Sequence, residues 1–298
     1  MIDLLPSEVE QQIIDGVAGF LAEELPLARL RPGPDGERSA DIGISAEQWH
    51  EIAGLGWFGL GIPEERGGAG FTVVAEMLVV REVGRYAVSP SISATIAAAC
   101  LAARADSELL AGLLAGERRV AFASRLCAGS DEYHLVDARG ADHLLVVDGM
   151  QAQLYGAAAF GEVRPVISLD DAVTLERARL TAGARPLLQE ADSDIGHRAS
   201  LHNSAQLLGV AEGALTLSVE YAKVREQFGQ AIGSFQTIKH RCADMAVMAE
   251  AAYAQAFFAG LSQAGGQRDA AYQIAAAKVI CAEAALANAR SGIQIHGG

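Results

Sequence analysis

A polar turn between two apolar-periodic segments constrains the fold of this chain more than any other feature. The turn runs from Arg225 to Gln236 and contains Gly229 and Gly233, with Ser234 close to the second segment. On both sides of it apolar residues recur every three to four positions, the spacing of a helix with one buried face. The pattern therefore predicts a helix, a tight connection, an N-cap at Ser234 and a second helix.

Three stripes of this kind follow one another from Leu187 onward, and Gly265-Gly266 separates the last two. Short connections between long helices favour antiparallel neighbours. The sequence thus predicts an antiparallel helix bundle over residues 186–298. The predicted core positions are Leu201, Ala205, Leu208, Leu215, Val219 and Ala222, then Ile238, Cys242, Met245, Ala249, Ala252 and Ala256, then Ile274, Cys281, Ala285 and Asn288.

Residues 1–116 are also helical by pattern. Ser7 and Ser45 are each followed three residues later by Glu or Gln, which is a capping box at a helix start. We therefore expect helices from Ser7 to about Glu24 and from Ser45 to about Ala53. Further helices are expected over Val73–Gly84, Ala94–Ala105 and Ser107–Ala115.

At Arg119 the composition changes to short β-prone runs separated by Gly or Asp. Five runs predict strands, namely Val120–Ser124, His134–Asp137, His143–Asp148, Ala152–Tyr155 and Pro165–Leu169. We assign residues 117–185 to a small middle β domain. The predicted fold is multi-domain and mostly α, with an N-terminal helical domain, this β domain and the C-terminal helix bundle.

Charge and composition narrow the range of functions. The formal net charge is −14, and the only lysines are Lys223, Lys239 and Lys278, so nucleic-acid binding through a basic surface is disfavoured. The four cysteines are dispersed without a Cys-x-x-Cys motif, and we expect reduced thiols and no metal site. No apolar run reaches the roughly 20 residues of a membrane span. With no signal peptide evident either, we expect a cytoplasmic protein.

Three ordered motifs are more specific than these patterns. Arg225-x-x-Phe-Gly continues into Ile232-x-x-Phe-Gln and Ala243-Asp-Met, and the sequence closes on Gln294-Ile-His-Gly-Gly. Near the N-terminus lies the loop Leu60-Gly-Ile-Pro-Glu-Glu-Arg-Gly-Gly-Ala-Gly. Together they resemble signature sequences of the acyl-CoA dehydrogenase family, and the chain is most similar to short, divergent subunits of its heteromeric members.

The resemblance implies a reaction and a cofactor. Members of the family oxidise an acyl-CoA thioester to its 2,3-enoyl form, with a glutamate taking the α-proton and FAD accepting a hydride at N5. FAD typically lies across a subunit interface. By resemblance, Arg225 and Phe228 contact the pyrophosphate region with Gln236 nearby, and Gln294, Gly297 and Gly298 reach the FAD of a neighbouring subunit.

The family's catalytic glutamate has no clear counterpart here. The sequence stops at Gly298, before a further helix that holds this glutamate in many members. Other members place it near Ala199 and Ser200, which are not acids. Short heteromeric members have a segment like Glu-Gln-Leu-Gly, and the matching glutamate position here is Gln206. Glu212 on the same helix is either a displaced base or a partly buried, paired carboxylate.

The β domain departs from the family as well. The flavin-facing Thr-Glu-Pro-x-x-Gly-Ser-Asp is reduced to the stretch Leu126–Asp131, in which only Gly129-Ser-Asp131 remains. The tryptophan segment that backs the flavin ring is missing, because the only tryptophans are Trp49 and Trp57 in the N-terminal domain. The sequence therefore predicts an incomplete isoalloxazine pocket.

Two functions of different classes remain open. The first is an FAD-dependent acyl-CoA dehydrogenase subunit whose homologous partner supplies the glutamate, with a bulky, steroid-like acyl-CoA as substrate and an electron-transfer acceptor. A self-sufficient homo-oligomer using Glu212, or a base beyond residue 298, is a variant of it. The second is a non-catalytic scaffold or regulatory subunit without flavin. A DNA-binding flavoprotein is disfavoured by the acidic charge.

Overall fold

The computed structural model describes residues 5–31, 43–149, 151–170, 172–190 and 194–297. As predicted, the chain is mostly helical, with the strands of a β sheet in the middle of the sequence. It divides into two compact units. The bundle unit comprises Met1–Leu21, Met77–Ala87 and Ser200–Gly298, and the mixed unit comprises Ala22–Glu76 and Val88–Ala199.

Five α-helices precede the sheet, and both predicted capping boxes are present. The Ser45 hydroxyl accepts the Gln48 N–H at 3.1 Å, while the Gln48 side chain accepts the Ser45 N–H at 3.1 Å. Ser7 and Glu10 form the same reciprocal pair at 3.3 and 2.8 Å. Local sequence alone places these helix starts, because each pair satisfies N–H groups that a helix leaves open. The helices are α1 (Glu8–Glu24), α2 (Ala46–Gly54), α3 (Val73–Arg85), α4 (Ser91–Arg104) and α5 (Leu109–Leu114).

Among the described residues the sheet has seven strands in the order β5-β6-β2-β1-β3-β4-β7, of which only β1 and β3 are parallel neighbours. One face packs on α4 through apolar side chains such as Leu145 and Leu154. The other face holds a second cluster, in which the rings of Tyr133 and Phe160 meet edge-on at 5.3 Å. The strands are β1 (Val120–Arg125), β2 (Glu132–Val136), β3 (His143–Asp148), β4 (Gln151–Gly156), β5 (Phe160–Val166), β6 (Leu175–Leu180) and β7 (Leu188–Glu190).

Two of these strands were not predicted. β6 contains Glu176, Arg177 and Arg179, whose local propensity favours a helix, and it forms a strand because it pairs with β2 and β5. β7 has only three residues and lies at the sheet edge, where the sequence pattern had predicted helix. The domain boundaries drawn after residues 116 and 185 stay predictions.

Three long helices follow the sheet, as predicted: α6 (Asp194–Val224), α7 (Gln236–Ala264) and α8 (Ala270–His296). Asn288 of α8 is fully buried. Its amide donates to the carbonyl oxygens of Ala211 in α6 and Met245 in α7, both at 3.0 Å. One buried amide therefore joins all three helices of the bundle unit and specifies their relative register.

Side-chain contacts give the directions of these helices. Gln255 of α7 donates to Gln273 near the start of α8 at 3.0 Å. The ring of Tyr221 near the end of α6 stacks on His296 at the end of α8, with 4.2 Å between centroids. With Asn288 bonded to mid-helix carbonyls of both neighbours, α7 runs antiparallel to α8 while α6 and α8 point the same way.

Within the bundle unit, α3 crosses α6 at glycine contacts. A Cβ added to Gly209 would lie 1.9 Å from the carbonyl oxygen of Arg81, and one added to Gly84 would lie 2.0 Å from that of Gln206. Side chains at these positions would force the helices apart. The two glycines therefore allow the close approach that positions α3 arginines over α6.

Among the described residues, one helix, α8, is long and apolar enough by length and composition to cross a membrane. This is weak evidence, since core helices of soluble proteins pass the same test. In the most apolar 18-residue window of α8, 33% of the residues are buried within the structure. Much of α8 therefore presents apolar side chains outward.

Candidate functional site

A two-residue hairpin turn joins α6 to α7. Its strands β8 (Glu226–Gln227) and β9 (Gln230–Ala231) pair antiparallel, with Phe228 and Gly229 at the tip. Both tip residues are left-handed, with φ of +54° and +78°, as the favoured two-residue hairpin requires. This conformation costs a non-glycine residue about 1 kcal/mol, yet the Phe228 side chain is 93% exposed. The hairpin thus presents an aromatic ring outward.

Arg225 lies at the base of this hairpin, directly after α6. Its N–H donates to Tyr221 and its carbonyl accepts the Ile232 N–H, both at 2.8 Å, so the backbone is fixed. The side chain is exposed, and within the described ranges no carboxylate lies within ion-pair distance of it. A guanidinium on a fixed backbone is thereby available to an anion, which it can bind through two parallel N–H groups.

The start of α7 adds N–H donors beside the hairpin. The sequence predicted Ser234 as the N-cap, and this is wrong: the cap position is Phe235. The Ser234 hydroxyl instead donates to the Ala231 carbonyl at 2.7 Å, because Ser234 closes a short 3₁₀ turn. No side chain accepts a hydrogen bond at this cap. The first-turn N–H groups therefore form an open, positively polarised helix end, and the exposed Gln236 side chain lies in the same turn.

The end of α8 lies at this same end of the bundle unit. The Tyr221–His296 stack holds the last turns of α6 and α8 together. Gln294 is exposed, and Gly297 caps α8 in a left-handed conformation with φ of +94°. Gly298 lies outside the described residues. The structure therefore places Arg225, Phe228, Gln236, Gln294 and Gly297 at one end of the bundle unit.

The donors at this end suit a diphosphate. A guanidinium fork, an uncapped helix N-terminus and an amide side chain all donate hydrogen bonds to anionic oxygens. Gly297, which caps α8, has no side chain, so its backbone is accessible to a ligand. These residues fit the pyrophosphate portion of a dinucleotide such as FAD. No group of three or more metal-binding side chains occurs in the part of the chain that the structure describes.

Gln206 and Glu212 lie on α6 in different surroundings. Gln206 is half-buried, next to the glycine contact with α3. Glu212 Oε2 accepts from Arg81 Nε at 2.7 Å and from Arg85 Nη2. Burial works against the charge of Arg81, but Glu212 outweighs it and raises the pKa of Arg81. The paired-carboxylate interpretation of Glu212 is favoured, since two guanidinium groups donate hydrogen bonds to the same carboxylate.

The sequence did not single out the two arginines that hold Glu212. Their signal was the spacing of Arg81 and Arg85, which puts both on one face of α3. That spacing identifies a basic helix face without identifying its partner.

The Gly-rich loop of the mixed unit is fixed by its own backbone. Gly70 donates to the Ile62 carbonyl at 2.8 Å, and Phe71 donates to that of Leu60 at 2.9 Å. A Cβ on Gly68 would lie 2.1 Å from the Ile62 carbonyl oxygen. The glycines of this motif therefore allow the loop to fold back on itself.

The remnant Gly129-Ser-Asp131 uses its polar groups locally. The Ser130 hydroxyl accepts the Glu132 N–H at 3.0 Å, and its carbonyl accepts from Arg125. Asp131 lies 3.5 Å from Arg179 Nε. These contacts close the turn between β1 and β2, and nothing in them favours a flavin ring.

Two family models match the sequence. The acyl-CoA dehydrogenase N-terminal domain matches residues 7–114, and the acyl-CoA dehydrogenase C-terminal domain matches residues 197–298. Among curated relatives, the acyl-CoA dehydrogenase IpdE2 of Mycobacterium tuberculosis is 34% identical, over 99% of this chain and 87% of its own length. The acyl-CoA dehydrogenase FadE34 of the same organism is 35% identical over 85% of this chain, which spans only 38% of FadE34.

Solved structures share the fold. Butyryl-CoA dehydrogenase from Megasphaera elsdenii superposes with a TM-score of 0.82 at 22% identity, covering 100% of this chain and 90% of its own. PigA with FAD and proline gives 0.78 at 21%, with coverages of 100% and 89%. A variant of the Tcur3481-Tcur3483 steroid ACAD gives 0.75 at 26%, with coverages of 98% and 87%.

Proposed function

Since the chain belongs to the acyl-CoA dehydrogenase family, we propose that it is an FAD-dependent dehydrogenase subunit that works beside a homologous chain. One observation carries the proposal. The same end of the bundle unit holds Arg225, the uncapped start of α7 and the glycine cap of α8. This donor set suits the pyrophosphate of FAD. When bound, FAD supplies the hydride acceptor for 2,3-dehydrogenation of an acyl-CoA thioester.

The residues of this chain hold the cofactor in this proposal. Arg225 and the first turn of α7 bind the pyrophosphate, with Gln236 beside them. Phe228, exposed at the hairpin tip, covers the cofactor or the neighbouring chain. Gln294, Gly297 and Gly298 approach the cofactor of a neighbouring subunit, where the absence of Cβ atoms allows close backbone contact.

The homologous partner supplies the base. Removal of an α-proton needs a carboxylate or another base near neutral pH. Gln206 occupies the matching position and its amide does not accept a proton. Glu212 is already engaged by Arg81 and Arg85. A partner with its own glutamate and a complete ring pocket accounts for residues 1–298, which keep the cofactor-binding end while Gln206 stands at the matching base position.

The proposal also extends to the acyl group of the substrate. A bulky, steroid-like CoA thioester is supported by the Tcur3481-Tcur3483 relative, whose name describes a steroid dehydrogenase of two components. An electron-transfer protein serves as acceptor. We place the reaction in the cytoplasm, in keeping with the dispersed cysteines.

A non-catalytic scaffold is the second candidate. The contacts within Gly129-Ser-Asp131 favour it, because they close the β1–β2 turn without a flavin. In this case the chain stabilises a partner enzyme and holds no cofactor of its own.

The visible spectrum and flavin-to-chain ratio separate these candidates. Both are measured on the chain alone and on the chain co-expressed with a homologous dehydrogenase. We expect flavin only in the co-purified complex, at about one per pair of chains. One flavin per lone chain would instead indicate a self-sufficient site. Colourless preparations in both cases would favour the scaffold.

Replacing Arg225 with alanine is expected to weaken FAD binding about 10- to 100-fold, because hydrogen bonds to charged groups contribute about 1.5–3 kcal/mol. Flavin dissociation is followed by fluorescence in the assembly that binds FAD. Arg268→Ala is the matched control: Arg268 is equally exposed but lies in the α7–α8 connection, at the other end of α7. Equal affinities for both variants would remove Arg225 from the site.

A further inference from the structure

We propose that a cavity at one end of the β sheet in the mixed unit binds inorganic phosphate. This strand-end cavity has a volume of about 200 Å³, and its polar lining comprises the side chains of Ser89, Ser91, Arg119, Asp137, Arg139 and Thr174. All six residues belong to the mixed unit. The inference goes beyond the proposed function and does not depend on flavin binding.

Three strand ends bring these polar side chains together. β1 runs antiparallel to β2, and β2 runs antiparallel to β6, so the start of β1, the end of β2 and the start of β6 share one end of the sheet. Arg119 directly precedes β1, Asp137 directly follows β2 and Thr174 directly precedes β6. The turn that holds Gly129-Ser-Asp131 joins the other ends of β1 and β2. The strand-end cavity is therefore separate from the segment that matches the family's flavin-facing motif.

The start of α4 contributes two hydroxyl groups. The Thr95 hydroxyl accepts the N–H of Val120 at 3.1 Å, which fixes the beginning of α4 against the start of β1. The hydroxyl oxygens of Ser89 and Ser91 lie 2.8 Å apart, and one of them donates to the other. The remaining hydroxyl proton has no acceptor among the described residues, so it is available to an anion in the cavity.

Arg119 supplies a half-buried positive charge. Its guanidinium lies over the Trp49 ring, 4.2 Å from the centroid, and Nη2 donates to the Ile44 carbonyl at 3.3 Å. In the part of the chain that the structure describes, no carboxylate lies within ion-pair distance of this guanidinium. Burial lowers the pKa of Arg119, and the charges of Asp142 and Asp137 offset only part of this effect. A bound anion would stabilise the guanidinium, because burying a charge without a counter-charge is costly.

Arg139 adds a second positive charge to the lining. Its side chain is 71% exposed, and its Nε lies 3.9 Å from Oε1 of Glu176, which is too far for a hydrogen bond. The N–H groups of Arg139 are thus available to a ligand. Because the lining holds two guanidinium groups and one carboxylate, that of Asp137, the strand-end cavity favours an anion over a cation.

The carboxylate of Asp137 determines which anion fits. Its Oδ1 accepts the backbone N–H of Thr174 at 2.7 Å and the Thr174 hydroxyl proton at 3.2 Å, while its Oδ2 accepts no hydrogen bond from the described residues. A carboxylate repels a fully deprotonated anion and accepts the O–H of an anion that keeps a proton. At neutral pH inorganic phosphate keeps a proton, sulfate keeps none, and a phosphate monoester loses its last proton near about pH 6. The strand-end cavity therefore selects inorganic phosphate.

Equilibrium dialysis with radioactive inorganic phosphate measures binding to the full chain. We expect saturation at about one phosphate per chain, and we expect sulfate to displace it at least about 10-fold less well than unlabelled phosphate does. Asp137→Asn is expected to abolish this preference, because the asparagine amide donates to either anion and asparagine tolerates the left-handed φ of +51° at this position. Binding that does not saturate, or equal displacement by the two anions in the unmodified chain, would indicate an adventitious ion only and overturn the proposal.

Arginine variants locate the phosphate on the chain. Arg119→Lys keeps a positive charge beside Trp49 but loses the planar fork, and we expect it to bind phosphate about 10-fold more weakly. Arg139→Gln changes an exposed side chain and is expected to weaken binding about 2- to 5-fold. Arg185→Gln is the matched control, because Arg185 is an exposed arginine of the same unit outside the cavity lining. Binding that is lost in Arg225→Ala, yet unchanged in the Arg119 and Arg139 variants, would assign the phosphate to the cofactor-binding end and overturn the proposal.

Discussion

Replacing Arg198 with methionine is expected to lower the free energy of unfolding by about 3–5 kcal/mol, because it removes one charge of a buried ion pair. Arg198 Nη1 lies 2.5 Å from Oε2 of Glu76, whose side chain is fully buried in the mixed unit. Once the guanidinium is gone, the fully buried Glu76 carboxylate loses the interaction with the Arg198 charge. A large part of the stability of a domain is then lost.

The backbone packs tightly against this ion pair. A Cβ added to Gly61 would lie 1.9 Å from Glu76 Oε1 and 2.9 Å from Arg198 Nη1, so the backbone closes directly over the charges. The Cys100 thiol donates to Glu76 Oε1 at 3.6 Å. Burial, and next the Glu76 charge, raises the pKa of Cys100, which keeps this thiol protonated as a donor.

Urea unfolding followed by tryptophan fluorescence measures the loss. Trp49 and Trp57, the only tryptophans, both lie in the mixed unit, so the signal reports on the unit that holds the pair. The matched control is Arg66→Met. Arg66 Nη1 lies 2.5 Å from Asp106 Oδ1, and the Asp106 side chain is 84% exposed. Surface pairs of this kind contribute less than about 1 kcal/mol to the free energy of unfolding.

A double variant separates the charge from the packing. Replacing Glu76 with leucine together with Arg198→Met removes both charges and keeps apolar volume, which often restores stability. We expect it to regain most of the loss. If Arg198→Met unfolds no earlier than Arg66→Met, the pair contributes little, and the interpretation of Glu76 as an ionised buried group is wrong.

The sequence predicted the elements that depend on local signals. The helix starts at Ser7 and Ser45 follow from capping boxes, and the tight connection before α7 follows from Gly229 and Gly233, although its β pairing was not predicted. Ser234 failed as a cap because it is the last residue of a 3₁₀ turn, where its hydroxyl donates to the Ala231 carbonyl, and α7 is capped one residue later. The preference of serine for the cap position does not show which local hydrogen bond its side chain will form.

Contacts between residues that are far apart in the sequence could not be predicted from the sequence. Glu76 and Arg198 are far apart in the sequence, and each alone resembles an ordinary charge on a helix. β6 became a strand only through its neighbours β2 and β5. Likewise, the sequence named Glu212 and could not show that Arg81 and Arg85 bind it. The cofactor-binding residues were named by resemblance, and the structure adds that the described ones share one end of the bundle unit.

In an assembly whose partner has lost its own catalytic glutamate, replacing Gln206 with glutamate is expected to raise the rate of flavin reduction by acyl-CoA about 10²- to 10⁴-fold if the acyl chain reaches α6 of this subunit, the usual contribution of a positioned general base. The change keeps the size of the side chain, and the glycine contact between α3 and α6 fixes the backbone at this position. The new carboxylate is half-buried, as Gln206 is, and partial burial makes a carboxylate a stronger base. The rate is measured anaerobically as bleaching of the oxidised flavin band, in the assembly that binds FAD.

Adding Glu212→Gln to this variant identifies which carboxylate acts. If Gln206 occupies the base position, the double variant keeps the gained rate, although it is less stable because Arg81 and Arg85 lose their shared partner. Loss of the gained rate in the double variant would make Glu212 the base. A Gln206→Glu protein that binds both FAD and acyl-CoA without bleaching would show that the acyl chain does not reach α6 of this subunit. The partner's pocket would then be the only one in which the reaction takes place.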